Sequence, residues 1–446
     1  MPHPIRVEHL LIGLLLYLVL RNLWDTYRTL REKQKKKGKK GPPREWEARN
    51  PKKCPACRAG VCLPALHPKR QVTPWKQVKS TRGRKKGIDT HGHCCLNPLC
   101  IYFRITDAAI HALVGNGKDG INKDIQLLRC QACKRGFSSR RNTPLYYLKT
   151  AVERVEMCLW LLAEGVDASV LVRFTGHVDA TISRWLTRAG KHSEGLHHAL
   201  FVHLELEYLQ VDELKAPIVG DKENWLWLAI EPVSKIVPSL HIGKRTNDDA
   251  MVFIHLLVLN LAPGCVPAFT SDGLRQYFYA LTAHFGYWGY PDKQWKWQVS
   301  DLLLYGQLVK RRNKKKNDDR PFTITRMKVG KRWQLFERLL DLGFSPTIQT
   351  AFIERLILTI RQGVAALSRR TWSKARSNEA LYLHIQWWRG YYHLSRAHES
   401  LVVRLPGLKR RYRQRTPAMA AGITDHIWSV GDILKKPVVV LEGGVC

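Results

Sequence analysis

The sequence predicts a multidomain chain with a small cysteine-rich module, an all-α segment and a larger mixed α/β domain. Three observations carry this reading. Three close cysteine pairs fall between residues 54 and 133, helical apolar periodicity follows over 146–200, and strand-like runs then alternate with helices over 201–405. A length of 446 residues suits two to four domains, and 45% hydrophobic residues exclude wholesale disorder.

Composition narrows the partner. Lys and Arg number 73 against 37 Asp and Glu, a net charge of +36. The excess runs along the whole chain, which argues against an ordinary small-molecule enzyme. It favours a polyanion, nucleic acid ahead of an anionic membrane surface. Eleven cysteines, an odd number, do not suggest a secreted disulfide scaffold. We expect a reducing, cytoplasmic setting, with Cys62, Cys94, Cys158, Cys265 and Cys446 mostly buried as small apolar side chains.

Residues 1–50 read as an apolar helix and a basic linker. His9 to Leu20 are 12 uncharged residues. As a helix they span about 18 Å, short of the roughly 30 Å hydrocarbon core. A packing or self-association helix is expected; a tilted membrane anchor over 9–24 and a signal peptide are the alternatives. The run REKQKKKGKKGPPR at 31–44 is a solvated tether able to touch phosphates.

Region 51–145 carries Cys54–Cys57, Cys95–Cys100 and Cys130–Cys133. Two tight turns with two thiolates each supply a tetrahedral zinc site. Cys95, Cys100, Cys130 and Cys133 are the first-choice ligands. Cys54 and Cys57 either recruit His91, His93 or Cys94 for a second zinc or are themselves the partners of Cys95 and Cys100. One or two structural zinc ions are expected, and Phe137 stands where an aromatic ring can cover the site.

Segment 146–200 reads as a helix over Tyr147–Gly165, a short helix over Ala168–Gly176 and a third over Asp179–Leu186. Helix, glycine turn and helix is the layout of a helix-turn-helix. Ala180, Thr181, Ser183 and Arg184 would be exposed on the recognition helix, while Ile182, Trp185 and Leu186 pack inward.

In 201–405, LQVDEL ends a strand on Asp212, Asn224–Ile230 and Ile236–Ile242 are two more, a helix capped by Asn247 or Asp248 follows, and Val266–Gly273 ends a fourth strand on Asp272. Three antiparallel strands, a helix and a strand is the order of an RNase H-like fold. Its crossover returns the fourth strand beside the first, so Asp212 and Asp272 would end side by side. Glu213 is read as a neighbour on the opposite face. On the helix around Glu354, Ile353, Leu356, Ile357, Ile360, Val364 and Leu367 form the apolar stripe, with Glu354 and Arg361 at its edge. Asp212, Asp272 and Glu354 can offer oxygens to two Mg²⁺ or Mn²⁺ ions, and Arg361 can meet a phosphate.

The insertion 286–345 contains a basic hairpin with Lys310, Arg311, Arg312, Lys314, Lys315 and Lys316, which suits DNA phosphates. Trp288, Trp295 and Trp297 before it are expected as core anchors rather than base-stacking platforms. The tail, 406–446, gives no clear signal.

WLWLAIEPVSK, TSDG around Asp272, IQTAFIERLILTIRQGVAALSRRTWSKA and YYHLSRAHESL resemble insertion-sequence DDE transposases, nearest the insertion-sequence-one type, over roughly residues 50–430. The resemblance implies a zinc ribbon, a helix-turn-helix and an RNase H-like DDE domain. It implies Asp212, Asp272 and Glu354 as the catalytic triad, with His398 nearby. The chain departs from the family pattern at Leu356–Ile357 and at Ala397, and about 81 residues separate Asp272 from Glu354. The implied activity is metal-dependent cleavage and strand transfer on double-stranded DNA, element ends and target, by a homodimer or higher assembly. The alternative is a decayed copy that acts only as a zinc-dependent DNA-binding protein.

Overall fold

The computed structural model describes residues 72–78, 90, 93–120, 125–290, 294–312, 321–404 and 412–438. The apolar segment 9–24, the tether 31–44, Cys54, Cys57, Cys62, His91, Lys314, Lys315, Lys316 and Cys446 lie outside the described residues. Contacts divide the chain into two compact units, one of residues 1–114 and 130–135, the other of 115–129 and 136–446.

In the first unit a single helical turn, α1 (Trp75–Val78), is tied back by the Trp75 amide, which donates to the Ile110 carbonyl at 2.9 Å. Trp75 meets the ring of Tyr102 edge-on at 5.8 Å, and the Tyr102 hydroxyl donates to the Thr73 carbonyl at 2.8 Å. Tyr102 and Phe103 are fully buried, giving this small unit its apolar centre. Nearly all in the second unit, strands β1 (Leu113–Asp119), β2 (Ile125–Cys130) and β3 (Gly136–Ser138) form a three-stranded sheet in that order. Phe137 pairs with Leu128 in it.

Three helices follow. Helix α2 (Val152–Ala163) starts later than the apolar pattern suggests, because Tyr147 sits at φ 57° and cannot continue a right-handed helix. Helix α3 (Ala168–Thr175) is capped by Asp167, whose carboxylate accepts from the Ser169 amide at 2.7 Å, and is closed by Gly176 in the left-handed region. Helix α4 (Asp179–Leu200) has 22 residues, so the expected helix Asp179–Leu186 is only its first third. That third is exposed as the pattern predicts. Ala180, Ser183 and Arg184 face solvent, Thr181 is half-buried, and Ile182 and Trp185 are buried. The remaining two turns and more belong to the core.

The α/β part begins with β4 (Tyr208–Lys215), β5 (Trp225–Ile230) and β6 (Leu240–Gly243), followed by α5 (Asn247–Val258), β7 (Ala268–Ser271) and α6 (Arg275–His284). The third strand is shorter than the expected Ile236–Ile242. Pro238 has no amide to give a ladder, and the Val237 amide donates to His393 Nε2 at 2.8 Å instead. Helix α5 is capped by Thr246, one residue before the expected caps, through a hydroxyl that accepts from the Asp249 amide. A ribbon of β8 (Gly286–Gly289) and β9 (Lys296–Val299) precedes β10 (Tyr305–Arg312), β11 (Pro321–Val329) and α7 (Arg332–Asp341). Then come α8 (Ala351–Gly363), α9 (Asn378–Leu394), the short pair β12 (Val403–Arg404) and β13 (Tyr412–Arg413), α10 (Pro417–Ala420) and α11 (Val430–Lys435).

Six strands make one mixed sheet in the order β11-β10-β7-β4-β5-β6. Strand β4 is antiparallel to β5 and parallel to β7, and β10 is parallel to β7. The sequence-expected return of β7 beside β4 is therefore present. Alternation sorts the side chains into two cores. Leu209, Val211, Trp227 and Ala229 pack with α5 and α6, whereas Leu214, Leu226, Leu228 and Ile230 pack with α8 and α9. Ile353, Leu356, Ile357 and Ile360 of α8 are buried there, as its stripe requires. Residues of α2, α3 and α4 share the first core with the sheet, so these helices and the sheet are one body. At Gly190 of α4 any Cβ would meet the Leu383 carbonyl of α9 at 2.3 Å, a crossing only glycine permits.

The expected basic hairpin is present, and β10 joins it to the main sheet through β7. One expectation changes. Trp288, Trp295 and Trp297 are not core anchors; they are 63%, 68% and 42% exposed. β8 and β9 pair only with each other, leaving the rings to pack against one another, Trp288 on Trp297 at 5.5 Å and Tyr290 on Trp295 at 5.3 Å. The tail also has structure. Ile433 and Leu434 of α11 are buried, and the Ile433 carbonyl lies 2.9 Å from His192 Nε2. Cys94 and Cys158 are buried as expected, while Cys265 is half-buried with its thiol donating to the Leu206 carbonyl. Among the described residues no helix is long and apolar enough to cross a membrane.

Candidate metal centres

The first centre is built from two turns. In residues 95–104 the Cys100 amide donates to the Asn97 carbonyl and the Arg104 amide to the Cys95 carbonyl, with Arg104 at φ 61°. In residues 130–135 the Lys134 amide donates to the Cys130 carbonyl at 2.8 Å, with Lys134 at φ 63°. Each turn folds its two cysteines to one side. The sulfurs of Cys95, Cys100, Cys130 and Cys133 all lie within 4.8 Å of one another. Cys95 to Cys133 and Cys100 to Cys130 are both 3.7 Å. A tetrahedron with Zn–S bonds of about 2.3 Å has sulfur–sulfur edges of about 3.8 Å. The four-cysteine cluster is therefore compatible with zinc in donor type, number and spacing. Mutual thiol hydrogen bonds push the Cys95 and Cys100 thiols up and pull the Cys130 thiol down, so the cluster shares its protons. Phe137, expected as a cover, lies in the β2–β3 pairing, and the buried rings next to the first turn are Tyr102 and Phe103.

The second centre lies where β4 and β7 run side by side: Asp272 follows the last residue of β7, whereas Asp212 stands inside β4, which does not end there as the sequence suggests, because Leu214 and Lys215 keep pairing with β5. Parallel pairing of Val211 with Ser271 makes Asp212 and Asp272 neighbours one residue on. Asp212 Oδ1 accepts from the Glu213 amide at 2.8 Å, and Asp272 Oδ1 from the Leu274 amide at 3.0 Å. Each carboxylate is thus oriented by one oxygen. Ligand oxygens of Asp212, Glu213 and Asp272 all lie within 4.8 Å of one another, an acidic group able to bind a metal. Burial first, then the charges of Asp272 and Glu354, push Asp212 up to about 7. Burial, then Asp272 and Asp212, push Glu213 up to about 7 as well.

Glu213 corrects the reading of a mere neighbour. Its side chain leaves β4 toward α6, where the Tyr277 hydroxyl donates to Oε2 at 3.0 Å and Arg245 pairs with Oε1. Even so, its carboxylate belongs to the acidic group. The only advance signal was its adjacency to Asp212.

Glu354, on α8, lies outside that three-carboxylate group, and β4 and β7 set where its helix begins. Gln210, on the same face of β4 as Asp212, accepts from the Ile353 amide at 3.0 Å and donates to the Gln349 carbonyl at 2.9 Å. Thr270 of β7 donates to the same carbonyl at 3.0 Å. One strand side chain thus satisfies an orphan amide at the helix start. Glu354 acts on Asp212 electrostatically, while its Oε1 accepts from Lys310 Nζ at 2.9 Å and Thr350 Oγ1 at 3.0 Å.

Lys310, expected on DNA phosphates, is therefore a countercharge in the acidic site. Arg311 is exposed on β10, and Arg312 pairs through its backbone with Pro321. Arg361 is half-buried two turns beyond Glu354, and its charge is felt by Asp212. His398 bonds Ser400 Oγ at 2.9 Å, and Lys235, Arg396 and Arg355 are the cations that act on it most. Comparison with known proteins finds no matching family model and no matching curated sequence.

Proposed function

We propose that this protein is a zinc-dependent, DDE-type DNA transposase with an RNase H-like catalytic core. The observation that carries the reading is the pair Asp212 and Asp272, side by side on two parallel central strands, next to a helix that bears Glu354 and is pinned to both strands. The strand order, with β4 central and β7 beside it, supports the core assignment.

The acidic site offers hard oxygen donors suited to Mg²⁺ or Mn²⁺. Asp212, Asp272 and Glu354 would hold the ions, which when bound supply charge neutralisation at a phosphodiester and activation of the attacking oxygen. The chain's own groups do the rest. Gln210 fixes α8 and hence the reach of Glu354. Leu274 and Glu213 amides aim the two aspartates. Tyr277 and Arg245 hold Glu213 beside them. Arg361 would meet a phosphate oxygen, and the exposed first third of α4, after the Gly176 turn, would enter a major groove. Cys95, Cys100, Cys130 and Cys133 would hold one structural zinc. Holding two element ends together calls for at least a dimer.

The test uses zinc-loaded protein and a supercoiled plasmid carrying the DNA that flanks the gene. Strand cleavage should appear with Mg²⁺ or Mn²⁺, stop with EDTA and return on adding either ion. Tight, salt-sensitive DNA binding with no cleavage under either metal would overturn the transposase and leave a DNA-binding protein.

A further inference from the structure

The segment between α8 and α9 is absorbed by neither metal centre. Residues 369–376, RRTWSKAR, hold four cations and no acid. Arg369 and Arg370 are exposed. Beyond them exposure alternates: Thr371, Ser373 and Ala375 are half-buried, whereas Trp372, Lys374 and Arg376 face solvent, Trp372 by 93%. A segment whose alternate residues are seated presents the others together on its open side.

That seating is specific. The Val219 amide donates to the Ala375 carbonyl at 2.9 Å, and the Ser373 amide to Thr371 Oγ1 at 3.0 Å. The segment's start is held as well, through Ser368 Oγ donating to the Arg361 carbonyl at 2.8 Å. Trp372, Lys374 and Arg376 line one recess of about 660 Å³ together with Asp179, Ala180 and Ser183 of α4. Arg376 pairs with Asp179 at 3.8 Å. The segment therefore joins the exposed start of α4 on one side and the helix bearing Glu354 and Arg361 on the other. Where α2 ends against α8, a Cβ on Gly165, at φ 86°, would meet the Gln362 carbonyl at 1.9 Å, so the two helices approach too closely to slide.

We propose that residues 369–376 are a fixed clamp for duplex DNA, gripping the backbone between the stretch read by α4 and the stretch presented to the acidic site. Arg369, Arg370, Lys374 and Arg376 take successive phosphates, and Trp372 packs on the sugars and base edges of the adjacent minor groove. Charge decides for DNA over a protein partner. Four cations without an acid within eight residues suit a polyanion, and Trp among cations is the composition of a nucleic-acid contact rather than of an apolar docking face. This proposal rests on the DNA-binding reading above. It adds that recognition and cleavage sit on one rigid frame, so the distance from recognised sequence to cut is built in.

The test measures binding of the full zinc-loaded chain to a 40-base-pair duplex across a salt series, without Mg²⁺. Substituting Arg369→Gln, Arg370→Gln, Lys374→Gln and Arg376→Gln together should flatten the dependence of log affinity on log salt by about 0.9 for each phosphate lost, at least about 2 in total. Trp372→Ala should weaken binding about tenfold and leave the slope unchanged. Because all five side chains are exposed, thermal unfolding should not move. As a second readout, benzoylphenylalanine in place of Trp372 should photo-crosslink to the duplex. A steep wild-type slope that the fourfold variant leaves unaltered, or a crosslink to a second copy of the chain in place of DNA, overturns the clamp while the transposase stands. Wild-type protein that binds no duplex overturns both.

Discussion

The cysteine cluster and the acidic cluster are both sets of metal-type ligands, and they are built in opposite ways. Four sulfurs lie within 4.8 Å of one another, two pairs of them at 3.7 Å, a full set for a tetrahedral metal that would have no open position left. The carboxylates sit on two neighbouring strands and a helix edge, already held by Tyr277, Arg245, Thr350 and Lys310. A closed soft site couples metal to folding, and an open hard site prearranged by protein groups can take up and release ions while a substrate oxygen shares them. Stability and chemistry should therefore respond to substitution in contrary directions at the two centres.

The largest effect is expected at the cysteines. Cys130→Ala should lower zinc content by one ion per chain and expose residues 93–114 to limited proteolysis, because turns of this kind fold with their metal. The sheet should keep its protease resistance. Elemental analysis with peptide mapping checks both, and full zinc content in the variant would break the comparison.

Next is Gln210→Ala. It removes the bond that seats the first turn of α8 without touching a carboxylate. Cleavage should fall by about 10²-fold or more, the scale on which misplacement of reacting groups by about 1 Å acts, while duplex binding stays within twofold. Equal cleavage by the variant would mean that α8 is seated by its apolar stripe alone.

Asp212→Asn should run the other way from Cys130→Ala. Burial and neighbouring charges hold the Asp212 pKa near 7, above its ordinary value of 3.8. A raised native pKa makes ionisation costly in the folded state, so stability is lost as pH rises from about 4 through about 7. The neutral variant escapes that cost. At pH 8, with zinc bound and no Mg²⁺, it should be more stable to urea by about 2–4 kcal/mol, and the gain should vanish near pH 4. Destabilisation at both pH values would show that the carboxylate is structural.

Lys310→Ala should matter least to folding. Both partners of the Lys310–Glu354 pair are about half exposed or more, and such pairs contribute roughly 0–1 kcal/mol. Urea midpoints should barely move, and a loss beyond about 1 kcal/mol would make Lys310 part of the frame rather than a replaceable countercharge.

Much of this contrast was legible in the sequence because it depends on short-range rules. The strand runs and their order put Asp212 and Asp272 side by side, although β4 continues three residues past Asp212, a helical stripe put Glu354 at its edge, and cysteine pairs with two to four residues between them indicated turns. What was not legible depends on partners distant in the chain. Gln210 reads as an ordinary strand polar residue until α8, more than 130 residues later, is laid across it. Lys310 looks like one of a basic run until β10 joins β7 and turns it toward Glu354. Trp288, Trp295 and Trp297 have the composition of a core and lack only a second layer to pack against. The length of α4 was missed because its buried stretch carries Gly190, His192, Ser193 and His197, residues that periodicity does not count as core.

The central claim is that Asp212, Asp272 and Glu354 form a catalytic centre, and cleavage by the Asp272→Asn protein tests it most directly. With zinc in place and Mg²⁺ or Mn²⁺ supplied, the wild type should cut a supercoiled plasmid bearing the flanking DNA. The variant should bind that DNA with unchanged affinity and cut it slower by several orders of magnitude, the range in which positioning of reacting groups operates. Equal cutting by the two proteins would contradict the account.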